Sequence, residues 1–384
     1  MRNMIGAYGP WAAKLFGDGP AELSFRNPKF KARGLAAWRR LALAKARDLI
    51  GEPEIPWKPR ARVEKRYEFD GLAVEELSWQ LPYGPRTDAV FMKPAGARGR
   101  LPAILALHDH AGKKYFGLGK ITRTPRQHPL MREHQRQYYG GLAWANEIAR
   151  RGYAVLAHDA FPFASRRVRY ADVAKVLVGD RREPSPRSAR EIDEYNAWAG
   201  GHEHIMAKSL FCAGTTWPGV FLGEDRRALD YLCSRPDVDA ARVGCAGLSG
   251  GGMRTVFLGG LDPRIKAAVC VGLMTTWRDY LLHKCHTHTW MIYVPRLPQY
   301  LDWPEILGLR VPLPTMVMND KQDQLFTLPE MRRADRILGG VYAKAGAGGR
   351  YRCSFYPGPH KFDRPMQREA FAWLDRWLAS EGRP

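Results

Sequence analysis

From residue 101 onwards, short apolar runs rich in β-branched and aromatic residues alternate with longer stretches whose apolar positions recur at helical spacing. The runs 101–107, 153–157, 243–247, 265–272, 314–318 and 351–356 predict strands, and 139–151, 222–234, 253–260, 328–338 and 365–380 predict helices between them. Such alternation builds an α/β fold, a mostly parallel central sheet with helices on both faces. Upstream, 62–69, 75–80 and 88–93 also read as strands, parted by Asp-Gly and Pro-Tyr-Gly turns, and predict an antiparallel edge. Residues 1–60 form a Pro/Gly-punctuated extension with one amphipathic stretch, 35–50, which predicts a helix packed on the main body over 61–384. The intervals 160–220 and 274–311 exceed simple connections. They are expected to be insertions over the C-terminal edge of the sheet, where open α/β sheets place their sites.

Within 242–253, the β-prone segment Val243-Gly-Cys-Ala-Gly runs into Gly247-Leu-Ser-Gly-Gly251 and then into a helix-compatible stretch. A serine on such a strand-to-helix turn is held in a strained conformation that pushes its Oγ out of the sheet edge. Flanking glycines let the helix pass close to the strand, and the helix N-terminus favours a nearby oxyanion. The pentapeptide alone also suits a glycine-rich loop with an incidental serine; its flanking strand and helix favour Ser249 as a nucleophile.

A serine hydroxyl needs a histidine to take its proton and a carboxylate to orient that histidine. His360, in Tyr356-Pro-Gly-Pro-His-Lys-Phe362, directly follows the last strand and is the expected base; a surface-loop histidine is the alternative. The acid is expected in the loop after 314–318, which offers Asp320 and Asp323. Asp323 is favoured, because Asp320 stands close enough to the strand end to bond turn backbone. The oxyanion hole is expected from the backbone N–H of Gly250 and of His110, in Leu105-Ala-Leu-His-Asp-His-Ala-Gly112. Losing one such donor typically costs about 3–4 kcal/mol of transition-state stabilisation.

Composition narrows the setting. No segment reaches the roughly 18 apolar residues of a membrane span, and the N-terminal residues lack the apolar core of a signal peptide. A cytoplasmic protein is expected unless a leader has been trimmed. Six cysteines without close pairing predict no disulfides; Cys245 and Cys270 fall in predicted core strands. The net charge of +21 is spread along the chain and comes with no recognisable nucleic-acid module, so a solvated basic face and no nucleic-acid partner are expected. A homo-oligomer stays open.

These motifs resemble the α/β-hydrolase superfamily, and within it the dienelactone-hydrolase and acetyl-xylan-esterase-like group. The resemblance rests on Leu105–Gly112, 234–251, Leu261-Asp-Pro-Arg-Ile-Lys-Ala-Ala268, the Asp323 loop and Gly358-Pro-His360, and covers roughly residues 85–384. It implies a Ser249–His360–Asp323 triad, no cofactor, and hydrolysis of small-molecule or carbohydrate esters, as in a carboxylesterase or carbohydrate acetylesterase. Serine at the nucleophile position points away from dienelactone hydrolases proper, which use cysteine. His108-Asp-His110 also departs from the commoner His-Gly turn.

Other readings compete. His108-Asp-His110, His202-Glu-His204 and Cys285-His-Thr-His288 are pairs of a kind that can ligate zinc, although the serine constellation explains more residues and no metal is expected. A prolyl-oligopeptidase-type peptidase shares the implied catalytic domain but normally carries a large β-propeller, for which 384 residues leave no room. A silent binding protein on the same fold is the remaining rival. Trp277, Trp290 and Trp303 lie in one aromatic-rich insertion, and with Trp217 they are candidates for a substrate-pocket wall; packing the insertion onto the sheet explains them equally.

Overall fold

The computed structural model describes residues 3–379 apart from Phe16, Asp18 and Trp57. Nine strands build one sheet: β1 (Arg62–Phe69), β2 (Leu72–Trp79), β3 (Thr87–Pro94), β4 (Leu101–Leu107), β5 (Ala154–His158), β6 (Val238–Leu248), β7 (Ile265–Val271), β8 (Thr315–Asp320) and β9 (Tyr351–Tyr356). Their order is β1-β2-β3-β5-β4-β6-β7-β8-β9. β1, β2 and β3 pair antiparallel and join β5 antiparallel. Every pair from β5 across to β9 is parallel.

Both faces of the parallel strands are covered, so alternate residues enter two different cores. In β4, Ala103, Leu105 and Leu107 join one apolar layer while Ile104 and Ala106 join the other. The first layer takes the helices Trp217–Ser234, Gly250–Leu261 and Leu328–Lys344 together with the extension helix Leu35–Ile50. The second takes Trp144–Arg150 and Arg364–Leu378. Cys245 and Cys270 are buried in β6 and β7.

The extension is fastened to the body by backbone and side-chain bonds. Its helix ends at Gly51, whose left-handed φ of 62° a side chain would disfavour. Trp38 packs against Phe25 at 4.6 Å and donates its indole N–H to the Leu23 carbonyl at 2.7 Å. The N–H of Leu23 donates to the Tyr300 carbonyl, and Ser24 Oγ donates to the Glu305 carboxylate. Thr216 Oγ1 donates to the carbonyl of Ile50 at 2.6 Å.

Several element boundaries depart from the sequence pattern, and three have a clear local reason. The stretch 139–151 is not one helix: Pro129–Tyr139 ends at Gly140 and Gly141, both at positive φ, and Trp144–Arg150 follows. The helix before β6 starts at Trp217 rather than 222, because Thr216 caps it by accepting from the Gly219 N–H. The helix from Leu328 runs past Gly339 and Gly340 to Lys344, since Val341 and Tyr342 are buried beneath it. Tertiary burial there outweighs the low helix propensity of two glycines, about 1 kcal/mol each. The last helix ends at Leu378, and Ser380 lies outside the described residues.

The Trp38 anchor gives a stability prediction. Trp38→Ala is expected to destabilise the whole chain by about 3–5 kcal/mol, read from the midpoint of urea unfolding. An unchanged midpoint for the main transition would mean that the extension unfolds independently.

Candidate active site

Ser249 sits between β6 and the helix Gly250–Leu261 with φ 56° and ψ −117°, a conformation that L-residues rarely adopt. Its N–H donates to the Val271 carbonyl at 2.9 Å, which fixes the turn against the neighbouring strand. The glycines around it are required by space. A Cβ on Gly251 would lie 2.1 Å from the Leu107 carbonyl oxygen, and one on Gly247 would lie 2.5 Å from the Gly251 carbonyl carbon. A Cβ on Gly250 would stand 2.9 Å from the backbone nitrogen of His110. The start of the helix and the loop after β4 therefore meet backbone to backbone beside Ser249.

His360 lies on the loop after β9, and Asp323 on the loop after β8. Backbone bonds lace the two loops together: Lys321 N–H to the Tyr356 carbonyl and Gln322 N–H to the Gly358 carbonyl. Across this junction His360 Nδ1–H donates to Asp323 Oδ2 at 2.6 Å, and Asp323 Oδ1 accepts from the Leu325 N–H at 2.9 Å. His360 Nε2 is buried without a hydrogen-bond partner among the described residues. Behind the ring is Gly272, at φ 58°, where a Cβ would stand 2.9 Å from His360 Cε1. Burial alone disfavours the His360 cation, but the hydrogen bond and charge of Asp323, aided by Asp320 and Asp109, raise its pKa above the ordinary imidazole value.

Asp320 occupies a different position. It is fully buried at the end of β8 and accepts the Lys361 N–H at 3.0 Å, bonding backbone of the histidine loop rather than the imidazole. Desolvation pushes its carboxyl up to about 7.

Ser249, His360, Asp323, Gly250 and His110 all line one cleft of about 630 Å³. Its rim carries polar groups from the helix Pro129–Tyr139 (Gln137 and Tyr138), from both insertions (Glu203, Thr287 and Thr289) and from the loop after β8 (Gln324). Glu203 acts as a clamp. Its carboxylate accepts from His110 Nε2 at 2.8 Å, from Thr289 Oγ1 at 2.5 Å and from the Trp290 N–H at 3.0 Å, and it pairs with Lys114 Nζ at 2.5 Å. His110 Nδ1 accepts the Gly112 N–H, so the ring is neutral with its proton on Nε2. Burial opposes ionisation of Glu203, but His110 and Lys114 hold its carboxyl well below the usual carboxylate range.

Of the two roles the sequence leaves open for the tryptophans, the structure favours packing over a wall of this cleft. Trp217 is buried against Phe161. Trp277 and Trp303 pack edge to face at 5.0 Å, with indole N–H groups donated to the Leu301 and Leu273 carbonyls. These rings fasten the second insertion onto the sheet, and Trp290 is partly exposed outside the cleft lining. The histidine pairs are likewise dispersed. His108 Nε2 accepts the Ala160 N–H, His288 Nε2 meets the Leu325 carbonyl, and among the described side chains of the three pairs only His110 and Glu203 bond each other. Among the described residues no group of three or more His, Cys, Asp or Glu side chains is placed to hold a metal ion.

Glu203 and the buried groups beneath the β4 loop escape motif reading. Glu203 stands inside the His202-Glu-His204 pair, but its partners come from two distant segments that only folding brings near.

Comparison with known proteins places this architecture. No protein-family model matches the chain. It is 28% identical over 320 residues to YtaP of Bacillus subtilis, named as a candidate hydrolase, covering 83% of this chain and 91% of that one. The glucuronoyl esterase of Solibacter usitatus superposes with a TM-score of 0.62 at 17% identity, covering 93% of this chain and 97% of that one. An acetyl xylan esterase candidate of Bacteroides fragilis superposes with a TM-score of 0.63 at 15% identity, covering 92% of this chain and 83% of that one. The chain has the α/β-hydrolase fold. Among the described residues no helix is long and apolar enough to cross a membrane.

The His360–Asp323 contact makes a direct prediction. In Asp323→Asn the burial of the ring is no longer offset, so the His360 pKa is expected to fall, read by NMR titration of its ring resonances. An unchanged titration midpoint would show that Asp323 does not control this imidazole.

Proposed function

We propose that the protein is a serine-dependent carboxylic ester hydrolase with a Ser249–His360–Asp323 triad, acting without a cofactor. The observation that carries this reading is His360: Asp323 holds its Nδ1–H, and its unpartnered Nε2 belongs to the same cleft as the strained Ser249. In this mechanism Nε2 takes the Ser249 proton as Oγ attacks the acyl carbon. The N–H groups of Gly250 and His110 receive the oxyanion. Collapse expels the alcohol with the same proton, leaving an acyl-enzyme, and water activated by His360 releases the acid.

Similarity to a glucuronoyl esterase and an acetyl xylan esterase supports a carbohydrate ester as substrate, with a simple carboxylic ester as the wider class. The polar rim of Gln137, Tyr138, Thr289 and Gln324 suits hydroxyl groups of a sugar. Among the described residues no Lys or Arg lines the cleft, whereas Asp109, Glu203 and Asp323 do, so the cleft better fits an uncharged substrate than an anionic one.

Three measurements test the reading. In a screen of p-nitrophenyl esters of graded length, acetylated sugars and aminoacyl amides, Ser249→Ala is expected to lower kcat by about 10⁴-fold or more; turnover at the wild-type level would sink the mechanism, and preference for amides would indicate a peptidase. Asp323→Asn is expected to cost about 10⁴-fold, as removal of an orienting carboxylate does in a triad, whereas Asp320→Asn keeps most activity. The reverse ranking would make Asp320 the triad acid. Finally, His360 acts as base only when neutral, and its pKa is raised, so kcat/KM is expected to increase with pH along a limb centred above the ordinary imidazole value.

A further inference from the structure

Lys120 closes the short turn Leu118–Lys120 beneath the loop after β4, and its side chain is fully buried. Its ammonium donates to the carbonyl oxygens of Asp109 and His110, at 2.8 Å each. It stands 3.9 Å from the Asp109 carboxylate and 4.6 Å over the ring of Phe163. On its far side Asp109 meets His134 Nε2 at 3.1 Å and the Tyr139 hydroxyl. Burying an ammonium costs several kcal/mol before its partners compensate, and an apolar side chain of similar length would fill the space without that cost.

The position of the two carbonyls gives the charge a use. The Asp109–His110 peptide is trans, so its C=O and N–H point in opposite directions. Lys120 binds the oxygen end, and the nitrogen end stands against Gly250 beside Ser249. The next residue, Ala111, is held at φ 45°, a strained value that the Lys120 bond to the His110 carbonyl helps to fix. We propose that Lys120 is a positioning residue that aims the His110 N–H at the oxyanion formed on Ser249 and polarises it through the shared peptide. This deepens the serine-hydrolase reading and rests on it. A hydrogen bond to one end of a peptide strengthens the donor at the other, most of all in a water-poor site.

The same ammonium makes the oxyanion site sensitive to alkali. Burial, with Lys113 and Lys114 in the same direction and Asp109 and Asp159 opposing, lowers its pKa to about 8. Above that pH the charge leaves while the hydrogen-bond partners stay, and turnover falls with little change in substrate binding.

The test compares kcat, KM and their pH profiles for the wild type, Lys120→Met and Lys120→Arg on an ester from the screen, with affinity for a trifluoromethyl ketone that forms a hemiketal oxyanion. Lys120→Met is expected to lower kcat and ketone affinity together by about 10- to 100-fold at pH 7, with KM nearly constant. Lys120→Arg, which stays charged, is expected to restore part of kcat and to move the alkaline limb upward. A folded Lys120→Met enzyme with wild-type kcat overturns the proposal, as does an alkaline limb identical in the wild type and Lys120→Arg. Should the variants not fold, wild-type ketone affinity that stays flat from about pH 7 to 9.5 also overturns it. Activity surviving in Ser249→Ala would instead defeat the underlying serine mechanism, so the two failures are distinguishable.

Discussion

Backbone contact between the helix Gly250–Leu261 and the carboxyl ends of β4 and β7 is the constraint on which the site depends. Gly251 faces the Leu107 carbonyl and Gly252 the Val271 carbonyl, in each case closer than any Cβ allows. Pressed this tightly, the chain can turn from β6 into the helix only through a left-handed residue, and that residue is Ser249. The strain at Ser249 is thus imposed by packing on both sides, and it is sustained because two buried cores close over the sheet. Gly260, on another side of the helix, stands against the Ile306 carbonyl of the second insertion. One glycine-rich helix therefore sets the elbow and seats the insertion.

Around that turn, the remaining groups arrive on three separate loops whose relative positions are fixed by hydrogen bonds. The acid and histidine loops are laced by backbone bonds and by Asp320, which holds the Lys361 N–H. The loop after β4 is supported from below by Lys120 and Asp109 and from the side by Glu203. A network of this density is favourable only when its members are satisfied together, because each lost partner strands a buried charge. Two of the buried carboxylates near the cleft illustrate the point in opposite senses. Asp109, surrounded by His134, Lys120 and Tyr139, is held in its charged form, whereas Asp320, with one N–H donor, is pushed toward neutrality.

Much of this architecture is legible from local pattern. Apolar runs mark the inner strands β4, β5, β7 and β8, because residues buried on both faces leave few polar positions within a strand, whereas the largely exposed β1 is legible from its β-prone residues and the turn that follows it. The candidate site is legible where chemistry demands a local motif: Gly247 to Gly251 around Ser249, and the loops after β8 and β9, bring together residues named in advance. Legibility ends where function depends on distant partners. Lys120 looks like any loop lysine until its ammonium is seen under two carbonyls, and Glu203 looks like part of a histidine pair. The tryptophans mislead for a related reason. A ring that packs a core and a ring that lines a pocket carry the same sequence signal, and Trp217, Trp277 and Trp303 belong to the core. Gly140 and Gly339 show the same dependence: a glycine stops one helix and is overrun in the other, according to what is buried beyond it.

The clamp at Glu203 ties the dimensions of the cleft to its chemistry. One carboxylate holds the His110 ring on one wall and Thr289, with the backbone N–H of the residue after it, on the other, so the walls share a single fastening. An occupant that spreads the walls pulls directly on the loop bearing the His110 backbone. The width of the cleft and the placement of the His110 backbone are then one mechanical variable.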